Sequence, residues 1–218
     1  MRSRPAGVFI SIFTLSNPLY LLRPLMNKQR LIVGISGASG VIYGIRLLQV
    51  LRDMPEIETH LVMTKAAKLT AEYEVDMSAK EIEALADVVH NNTNVGASIS
   101  SGTFKTMGMA VIPCSIKSLS GIANAFHENL LIRAADVVLK ERRRLVVVPR
   151  ETPLTRTHLE LMIRLIDSGG IMVPPMPAFY TRPKTVDDIV NHTVGKVLDL
   201  FGIEHDQFER WSGKPINP

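Results

Sequence analysis

The chain has 218 residues and a formal net charge of +4; 46% of the residues are apolar and 21% are charged. These proportions indicate a globular domain and exclude a disordered or fibrous chain. The lone cysteine, Cys114, excludes an internal disulfide and favours the reducing cytoplasm. Aromatic residues are too sparse to indicate nucleic-acid binding. The six histidines lack the paired spacing of a metal site, so we expect no metal.

Residues 1–26 differ from the rest of the chain because they carry arginines and no acidic residue. Their apolar run, Val8–Leu15, is much shorter than the ~20 residues of a membrane helix, so we predict no membrane span. We therefore predict a leader over 1–26 that is disordered or an extended start. One domain is expected over 27–211, followed by a tail over 212–218.

Short apolar runs alternate with amphipathic segments along the chain. The apolar runs predict strands at Leu31–Ile35, Thr59–Thr64, Ala110–Pro113, Leu145–Pro149 and Ile171–Val173. Helices are predicted at Val41–Arg52, Lys65–Glu74, from Ser78 onward, Leu119–Ala125, Asn129–Arg143, Thr157–Ile166 and from Thr185 to about Gly202. Strands that are apolar on both faces and alternate with helices predict a single-domain, three-layer α/β fold. Its parallel sheet would be doubly wound, Rossmann- or flavodoxin-like.

A turn of small residues, Gly37–Gly40, joins the first strand to the first helix. Small residues let backbone N–H groups approach an anion, and the helix dipole favours negative charge there. The turn has neither the G-x-G-x-x-G spacing of a dinucleotide site nor the lysine of a P-loop. The second strand ends at Thr64 and Lys65 instead of a ribose-binding carboxylate. The turn therefore favours a mononucleotide phosphate, with tight helix packing as the alternative.

The segment Cys114–Ser118 repeats this arrangement of hydroxyls and backbone donors after an internal strand. It would suit a ribityl chain or a second phosphate, and the alternative is that Ser115 and Ser118 only cap a helix. Cys114 itself is expected to be a small buried apolar residue and not a nucleophile.

Charged side chains follow later in the chain. Arg133 and Lys140 lie two helical turns apart, on one face of a predicted helix, although such a run is commonly a solvated surface. Arg150 and Glu151 follow a strand, at the position where this fold binds ligands. An arginine can bind phosphate through two parallel hydrogen bonds, and a glutamate can donate or accept a proton. Tyr180 ends a proline-rich loop and offers a hydroxyl group to an anion.

Five blocks in this order resemble the UbiX-type flavin prenyltransferases. They are Gly-Ala-Ser-Gly-x-x-Tyr-Gly (37–44), Pro-Cys-Ser (113–115), Arg-Ala-Ala-Asp-Val-x-Leu-Lys-Glu-Arg-Arg (133–143), Pro-Arg-Glu-x-Pro (149–153) and Pro-Ala-Phe-Tyr (177–180). The resemblance spans about 31–211. Two features depart from the family pattern: the leader, and Arg144 where relatives commonly carry proline.

The resemblance implies an enzyme that joins dimethylallyl phosphate to N5 and C6 of reduced FMN without a metal. The product, prenylated FMN, would serve a UbiD-type decarboxylase in ubiquinone biosynthesis or aromatic-acid decarboxylation. The resemblance also implies a homo-oligomer such as a dodecamer, with the predicted surface loop Asn91–Thr103 as a candidate contact.

Matching positions carry the family's residue roles. FMN would be bound by Gly37, Ala38, Ser39, Thr64, Ser115, Ile116, Lys117, Ser118 and Arg150. The prenyl donor would be bound by Arg133, Lys140, Tyr180, Lys196 and Trp211. The expected catalytic residues are Ser39 near flavin N5, Glu74 orienting the donor, Lys140 on its phosphate and Glu151 as acid or base.

Two alternatives share the FMN site. One is an FMN-dependent enzyme of the cysteine-decarboxylase group, and the other is a carrier that binds FMN without acting on it. The set formed by Lys140, Arg150, Glu151 and Tyr180 argues against the first alternative, and the second would have no need of a second cluster of cations. A further alternative, in which the chain itself decarboxylates aromatic acids, requires activity without a partner enzyme.

Overall fold

A six-stranded parallel sheet lies at the centre of the computed structural model, which describes residues 28–213. The strands are β1 (Gln29–Ile35), β2 (Ile57–Met63), β3 (Val88–Asn91), β4 (Gly108–Cys114), β5 (Arg144–Pro149) and β6 (Ile171–Met172). The helices are α1 (Val41–Arg52), α2 (Lys65–Glu74), α3 (Ala79–Glu83), α4 (Ile116–Ala123), α5 (Leu130–Lys140), α6 (Arg156–Asp167) and α7 (Val186–Phe201). The strand order is β3-β2-β1-β4-β5-β6, which confirms the doubly wound parallel sheet that the sequence predicted.

Both faces of the sheet are buried because successive strand residues point to opposite sides. On one side, Leu31 and Val33 of β1 join a core cluster with α1, α2 and α7. On the other side, Ile32 and its neighbours from β4 and β5 pack against α4, α5 and Leu165 of α6. The helices thus form two outer layers, with α5 and α7 on opposite sides of the sheet.

Polar residues fix where the helices begin. The side chains of six residues accept a hydrogen bond from a backbone N–H in the first turn of the helix that follows each of them: Thr64, Ser78, Ser115, Asn129, Thr155 and Thr185. Each such cap contributes about 1 kcal/mol. At the other end, α7 stops at Gly202, whose φ of 69° belongs to the left-handed region that glycine enters easily.

The strand order reverses between β1 and β4, which are neighbours in the sheet but far apart in the chain. The connections after β1 and β4 therefore leave the sheet on opposite faces, since α1 packs in one layer and α4 in the other. A crevice opens between them at the carboxyl ends of the strands. Ligands of doubly wound folds bind at such crevices.

Several boundaries differ from the sequence-based expectations. The short edge strand β3 was not predicted, because its alternating exposure leaves only a weak apolar pattern. The helix predicted from Leu119 begins earlier, at Ile116, where Ser115 caps it. The helix predicted to reach Arg143 ends at Lys140, and Arg142 takes a φ of 56° that no α-helix continues.

The loop predicted at Asn91–Thr103 contains one turn of 3₁₀ helix, Ser98–Ser100, and a buried Ile99. The predicted leader, 1–26, and most of the predicted tail, 212–218, lie outside the described residues. Within 28–213, no helix combines the length and hydropathy needed to cross a bilayer.

Cys114 ends β4 inside the core, and burial raises the pKa of its thiol to about 12 from an ordinary value of 9.0. The reactive species is the thiolate, so we expect Cys114 in the native protein to resist iodoacetamide at pH 8.5. The same protein unfolded in guanidinium should react at the rate of a free thiol. Mass spectrometry of timed samples measures both rates; rapid labelling of the native protein would contradict this burial.

Candidate functional site

The turns that follow β1 and β4 are tied together at the crevice. Ser36, fully buried, donates its hydroxyl to the carbonyl of Pro113 at 3.1 Å and accepts from the backbone N–H of Ser115 at 2.7 Å. Ser115 in turn accepts from the backbone N–H of Ser118 at 3.3 Å. These bonds fix the start of α4 against the end of β1, so the two predicted FMN-binding segments form one rigid rim.

A pocket of about 660 Å³ opens beside this rim. Its volume lies within the range of ordinary cofactor pockets. The starts of α2, α4 and α5 all meet in its wall. The lining residues are Gly37, Thr64, Lys65, Ala66, Lys68, Leu69, Glu72, Asn92, Ser115, Lys117, Ser118, Glu128, Asn129 and Ile132. Five predicted FMN residues are therefore brought together in this wall: Gly37, Thr64, Ser115, Lys117 and Ser118.

The helix starts differ in how their first backbone N–H groups are used. Asn92 accepts from Leu130 and Leu131 at the start of α5 through its carbonyl and side-chain oxygens, and Asn129 caps the same turn. At the starts of α2 and α4, the first two N–H groups of each helix have no acceptor among the described residues: Lys65, Ala66, Ile116 and Lys117. Three of these residues, Lys65, Ala66 and Lys117, line the pocket, so their free N–H groups and the two helix dipoles favour an anion there.

Asn92 and Asn129 were missed as site residues by sequence reasoning. The capping position of Asn129, directly before an apolar run, was the available signal for it. Asn92 had no comparable signal, since its role depends on a loop that folds back onto α5.

The Gly37–Gly40 turn behaves differently from its sequence-based interpretation. Oε2 of Glu74 accepts hydrogen bonds from the backbone N–H groups of Gly40 at 2.8 Å and Val41 at 3.1 Å. A carboxylate of the chain itself therefore occupies the start of α1, where we expected phosphate. A second anion there would meet like charge, whereas the starts of α2 and α4 keep backbone N–H groups that have no acceptor among the described residues.

Tight packing, the alternative for this turn, is observed at Gly37. A Cβ atom at Gly37 would lie 2.3 Å from the Cβ of Ala66, so only glycine lets the turn reach α2. The neighbouring Ala38 is half-buried and the side chain of Ser39 is exposed. The turn therefore brings its backbone and one hydroxyl group to the edge of the crevice.

Arg150 and Glu151 line a smaller pocket of about 250 Å³ with Leu154, Met162 and Met176 among its apolar walls. Arg150 also acts on Tyr43 of α1: burial raises the pKa of Tyr43, while the positive charge of Arg150 and a hydrogen bond with Thr193 lower it. This pocket therefore combines two charged groups with apolar walls, a combination that suits a ligand with a charged part and an apolar part.

A cluster of aromatic side chains surrounds Tyr180. Its hydroxyl lies 3.3 Å from Nε2 of His192, and the ring of Trp211 meets the tyrosine ring edge to face at 5.8 Å. Lys196 is one turn of α7 beyond His192. Burial and the charge of Lys196 lower the pKa of His192, so this ring is neutral at neutral pH. Sequence reasoning missed His192, whose importance comes only from its contact with Tyr180.

Arg133 and Lys140 line a third, separate groove of about 660 Å³ with the loop that precedes β4. Lys140 is paired with Glu141 at 3.2 Å, and Arg133 with Asp136 at 3.3 Å. Lys140 ends α5 beside the amino-terminal edge of the sheet, roughly 15 Å along the helix from the pocket at the start of α5. The sheet also separates α5 from α7, which carries Lys196. One chain alone therefore does not gather the five predicted donor-binding residues.

Residues 20–198 match a family model described as Flavoprotein. The flavin prenyltransferase UbiX of Escherichia coli K12 is 58% identical over 187 residues, which cover 85% of this chain and 99% of that protein. A probable UbiX-like flavin prenyltransferase of Sedimentibacter hydroxybenzoicus is 54% identical over 84% of this chain and 97% of that protein.

Solved structures agree with these relatives. A dodecameric FMN-dependent UbiX-like decarboxylase from Escherichia coli O157:H7 has a TM-score of 0.84 at 57% identity, over 85% of this chain and all of that one. AnUbiX (PadA1), in complex with FMN and dimethylallyl pyrophosphate, has a TM-score of 0.84 at 45% identity, over 86% of this chain and 99% of that one. Peptidyl-cysteine decarboxylase EpiD, at 15% identity and a TM-score of 0.57, shares the fold alone. The chain therefore belongs to the UbiX-type flavin prenyltransferases, a family of flavoprotein transferases.

Proposed function

We propose that this transferase joins the dimethylallyl group of dimethylallyl phosphate to N5 and C6 of reduced FMN and releases inorganic phosphate. The observation that carries the proposal is the pocket between the starts of α2 and α4, which offers unused backbone donors to a phosphate beside the Gly37–Ser39 turn. A relative of 45% identity was solved with FMN and dimethylallyl pyrophosphate, which supports FMN and a dimethylallyl donor as the ligands of this chain.

The pocket fits FMN in its charge and in its dimensions. The backbone N–H groups at Lys65 and Lys117, with the hydroxyls of Thr64 and Ser118, would hold the flavin phosphate and the ribityl chain. The flavin ring would extend along the rim towards Ala38 and Ser39, where an exposed hydroxyl is available for N5. Reduced FMN would supply the nucleophilic atoms N5 and C6.

The donor phosphate would be held by Arg133, Lys140, Tyr180 and Lys196, with Trp211 covering the allyl group. Arg133 and Lys140 lie too far from Lys196 within one chain to act together there. We therefore infer that neighbouring copies complete each site, as expected for a homo-oligomer. The relative from Escherichia coli O157:H7, described as dodecameric, is consistent with such an assembly.

The proposed reaction requires cations around the leaving phosphate and a general acid or base, and it requires no metal. Cleavage of the allylic C–O bond leaves negative charge on phosphate, which fixed lysine and arginine side chains stabilise without rearrangement. Glu151 is exposed and beside Arg150, and it would protonate the leaving phosphate or accept the proton lost from C6. Glu74, bonded to Gly40 and Val41, would act on the donor through the position of Ser39.

The product would pass to a UbiD-type decarboxylase, in ubiquinone biosynthesis or in aromatic-acid decarboxylation. The single cysteine of the chain is compatible with the reducing environment of the cytoplasm. The rival enzyme of the cysteine-decarboxylase group resembles this chain in fold only. The carrier alternative leaves Lys140, Lys196 and Tyr180 without a purpose. Direct decarboxylation by the chain itself is tested by incubating purified protein with a hydroxybenzoate.

One prediction concerns where the phosphate of FMN binds. Lys65→Glu places a negative charge at the start of α2, so we expect the affinity for FMN to fall by about tenfold, the factor that corresponds to 1.4 kcal/mol. The affinity for riboflavin, which lacks phosphate, should change little. Flavin fluorescence titrations measure both. The control is Lys80→Glu, an exposed site on α3; equal losses for FMN and riboflavin would place the phosphate elsewhere.

A second prediction tests the reaction itself. Anaerobic incubation with reduced FMN and dimethylallyl phosphate should raise the mass of the bound flavin by one prenyl unit. Dimethylallyl pyrophosphate in a parallel sample tests the choice of donor. Glu151→Gln should keep FMN and slow the transfer by at least about a hundredfold, the usual size of an acid–base contribution. Unchanged FMN with both donors would sink the proposal.

The third prediction tests the shared site. Lys140→Ala and Tyr180→Phe variants should each lose most of their activity when they are purified alone. If one site combines Lys140 of one copy with Tyr180 of another, subunits mixed by refolding or coexpression should recover a fraction of wild-type activity. Mixed oligomers as inactive as their parents would mean that both residues serve one site from the same chain. A mixture of Lys140→Ala with Arg133→Ala is the matched control, because both lie on one groove.

A further inference from the structure

One carboxylate, that of Asp199 near the end of α7, is shared by several cationic or polar groups. Arg210 forms a two-pronged bond with it, at 3.1 Å to Oδ2 and 2.6 Å to Oδ1. Nε2 of His205 lies 3.1 Å from Oδ1, and Nζ of Lys196 lies 3.8 Å from Oδ2. The bonds from Arg210 lower the pKa of Asp199, so the carboxylate is charged at neutral pH.

The hydrogen bonds of His205 fix its orientation. The backbone N–H of Gln207 donates to Nδ1 of His205 at 3.1 Å, so Nδ1 accepts and a neutral ring carries its proton on Nε2. That proton points at Asp199. The side chain of His205 is fully buried, although it lies in an irregular segment beyond the last helix. Asp199 therefore binds this segment at two places, His205 and Arg210.

The segment 203–211, which we call the C-terminal strap, also has a shaped seat on α7. A Cβ atom at Gly195 would lie 2.5 Å from the ring of Phe208 and 2.6 Å from the ring of His205. Glycine inside a helix costs about 1 kcal/mol relative to alanine, and here it lets the strap lie against the helix. Phe208 covers His192 at 4.6 Å between ring centroids.

The docked strap carries Trp211 to Tyr180. The two rings meet edge to face at 5.8 Å, and the tyrosine hydroxyl reaches His192 beneath Phe208. Most of the surface of Trp211, 58%, is exposed among the described residues. The position of its ring therefore depends on the anchors earlier in the strap and not on burial of the ring itself.

We propose that Asp199 is a positioning residue for the prenyl donor, because it anchors the C-terminal strap and so sets Trp211 against Tyr180 beside Lys196. This inference rests on the proposed function in so far as those three residues bind the donor. Asp199 itself need not touch the donor. Without the anchor, the strap leaves its seat, and the donor must bind a form in which Trp211 no longer lies against Tyr180.

Loss of the anchor has a defined kinetic signature. If the docked fraction falls to about one tenth, the apparent affinity for the donor falls about tenfold, since only the docked form binds it well. Saturating donor restores the docked form, so kcat changes little. A residue that took part in bond cleavage would instead lower kcat.

The experiment compares wild type with Asp199→Ala, Gly195→Ala and Arg210→Ala. Gly195→Ala displaces the strap while all charges remain. Trp211 is the only tryptophan of the chain, so acrylamide quenching of intrinsic fluorescence reports the strap directly in the FMN-loaded enzyme. We expect stronger quenching in all three variants, and a KM for dimethylallyl phosphate raised about tenfold at nearly constant kcat. Arg210→Lys should recover part of the loss.

The control is Arg156→Ala, which removes the exposed pair of Arg156 and Glu160 on α6 and should leave quenching and KM unchanged. Asp199→Ala and Arg210→Ala should be non-additive in the double variant, since both break one anchor. Circular dichroism and melting curves identify a variant that fails to fold, for which Gly195→Ala and Arg210→Lys serve instead.

The outcomes separate the two proposals. Wild type that does not prenylate FMN overturns the proposed function, while the quenching data still test whether Asp199 anchors the strap. If the wild type is active and quenching is unchanged in Asp199→Ala, then Asp199 does not anchor the C-terminal strap. Increased quenching with an unchanged KM overturns the positioning role, and a large loss of kcat would make Asp199 part of the chemistry.

Discussion

The reversal of strand order between β1 and β4 is the constraint on which the site depends. It sends α1 and α4 to opposite faces of the sheet, and it leaves the ends of two adjacent strands facing a crevice. The hydroxyl of Ser36 then joins these ends through Pro113 and Ser115. Because this bond network is buried and satisfied, the two turns predicted to bind flavin are held in one geometry.

Local sequence was sufficient for much of this architecture. Apolar strands between amphipathic helices predicted the layers and the parallel order, and capping residues such as Ser78 predicted helix starts that the structure contains. The strand β3 escaped detection because an edge strand of four residues buries too little to leave an apolar run. The end of α5 was predicted too late in the chain, because an arginine in the sequence gives no indication that its φ is positive, as that of Arg142 is.

The sequence indicated which types of residue would form the site, but it did not indicate how those residues are arranged in space. The role of Glu74 in orienting the donor stays a prediction; that its carboxylate caps the start of α1 was not predicted, because this contact depends on α2 ending beside that turn. Asn92 and His192 act through contacts between segments distant in the chain, which periodicity cannot reveal. Lys140 and Lys196 were expected around one phosphate, but the sheet stands between the helices that carry them.

The two edges of the sheet limit how copies of this chain can associate. Its outer strands, β3 and β6, have four and two residues. Short edge strands offer few unpaired backbone groups, so they are poor templates for a strand from another molecule. Contacts between copies would therefore form through helices and loops, whose side chains define a single geometry. Open-ended association of copies through the sheet edges is therefore disfavoured.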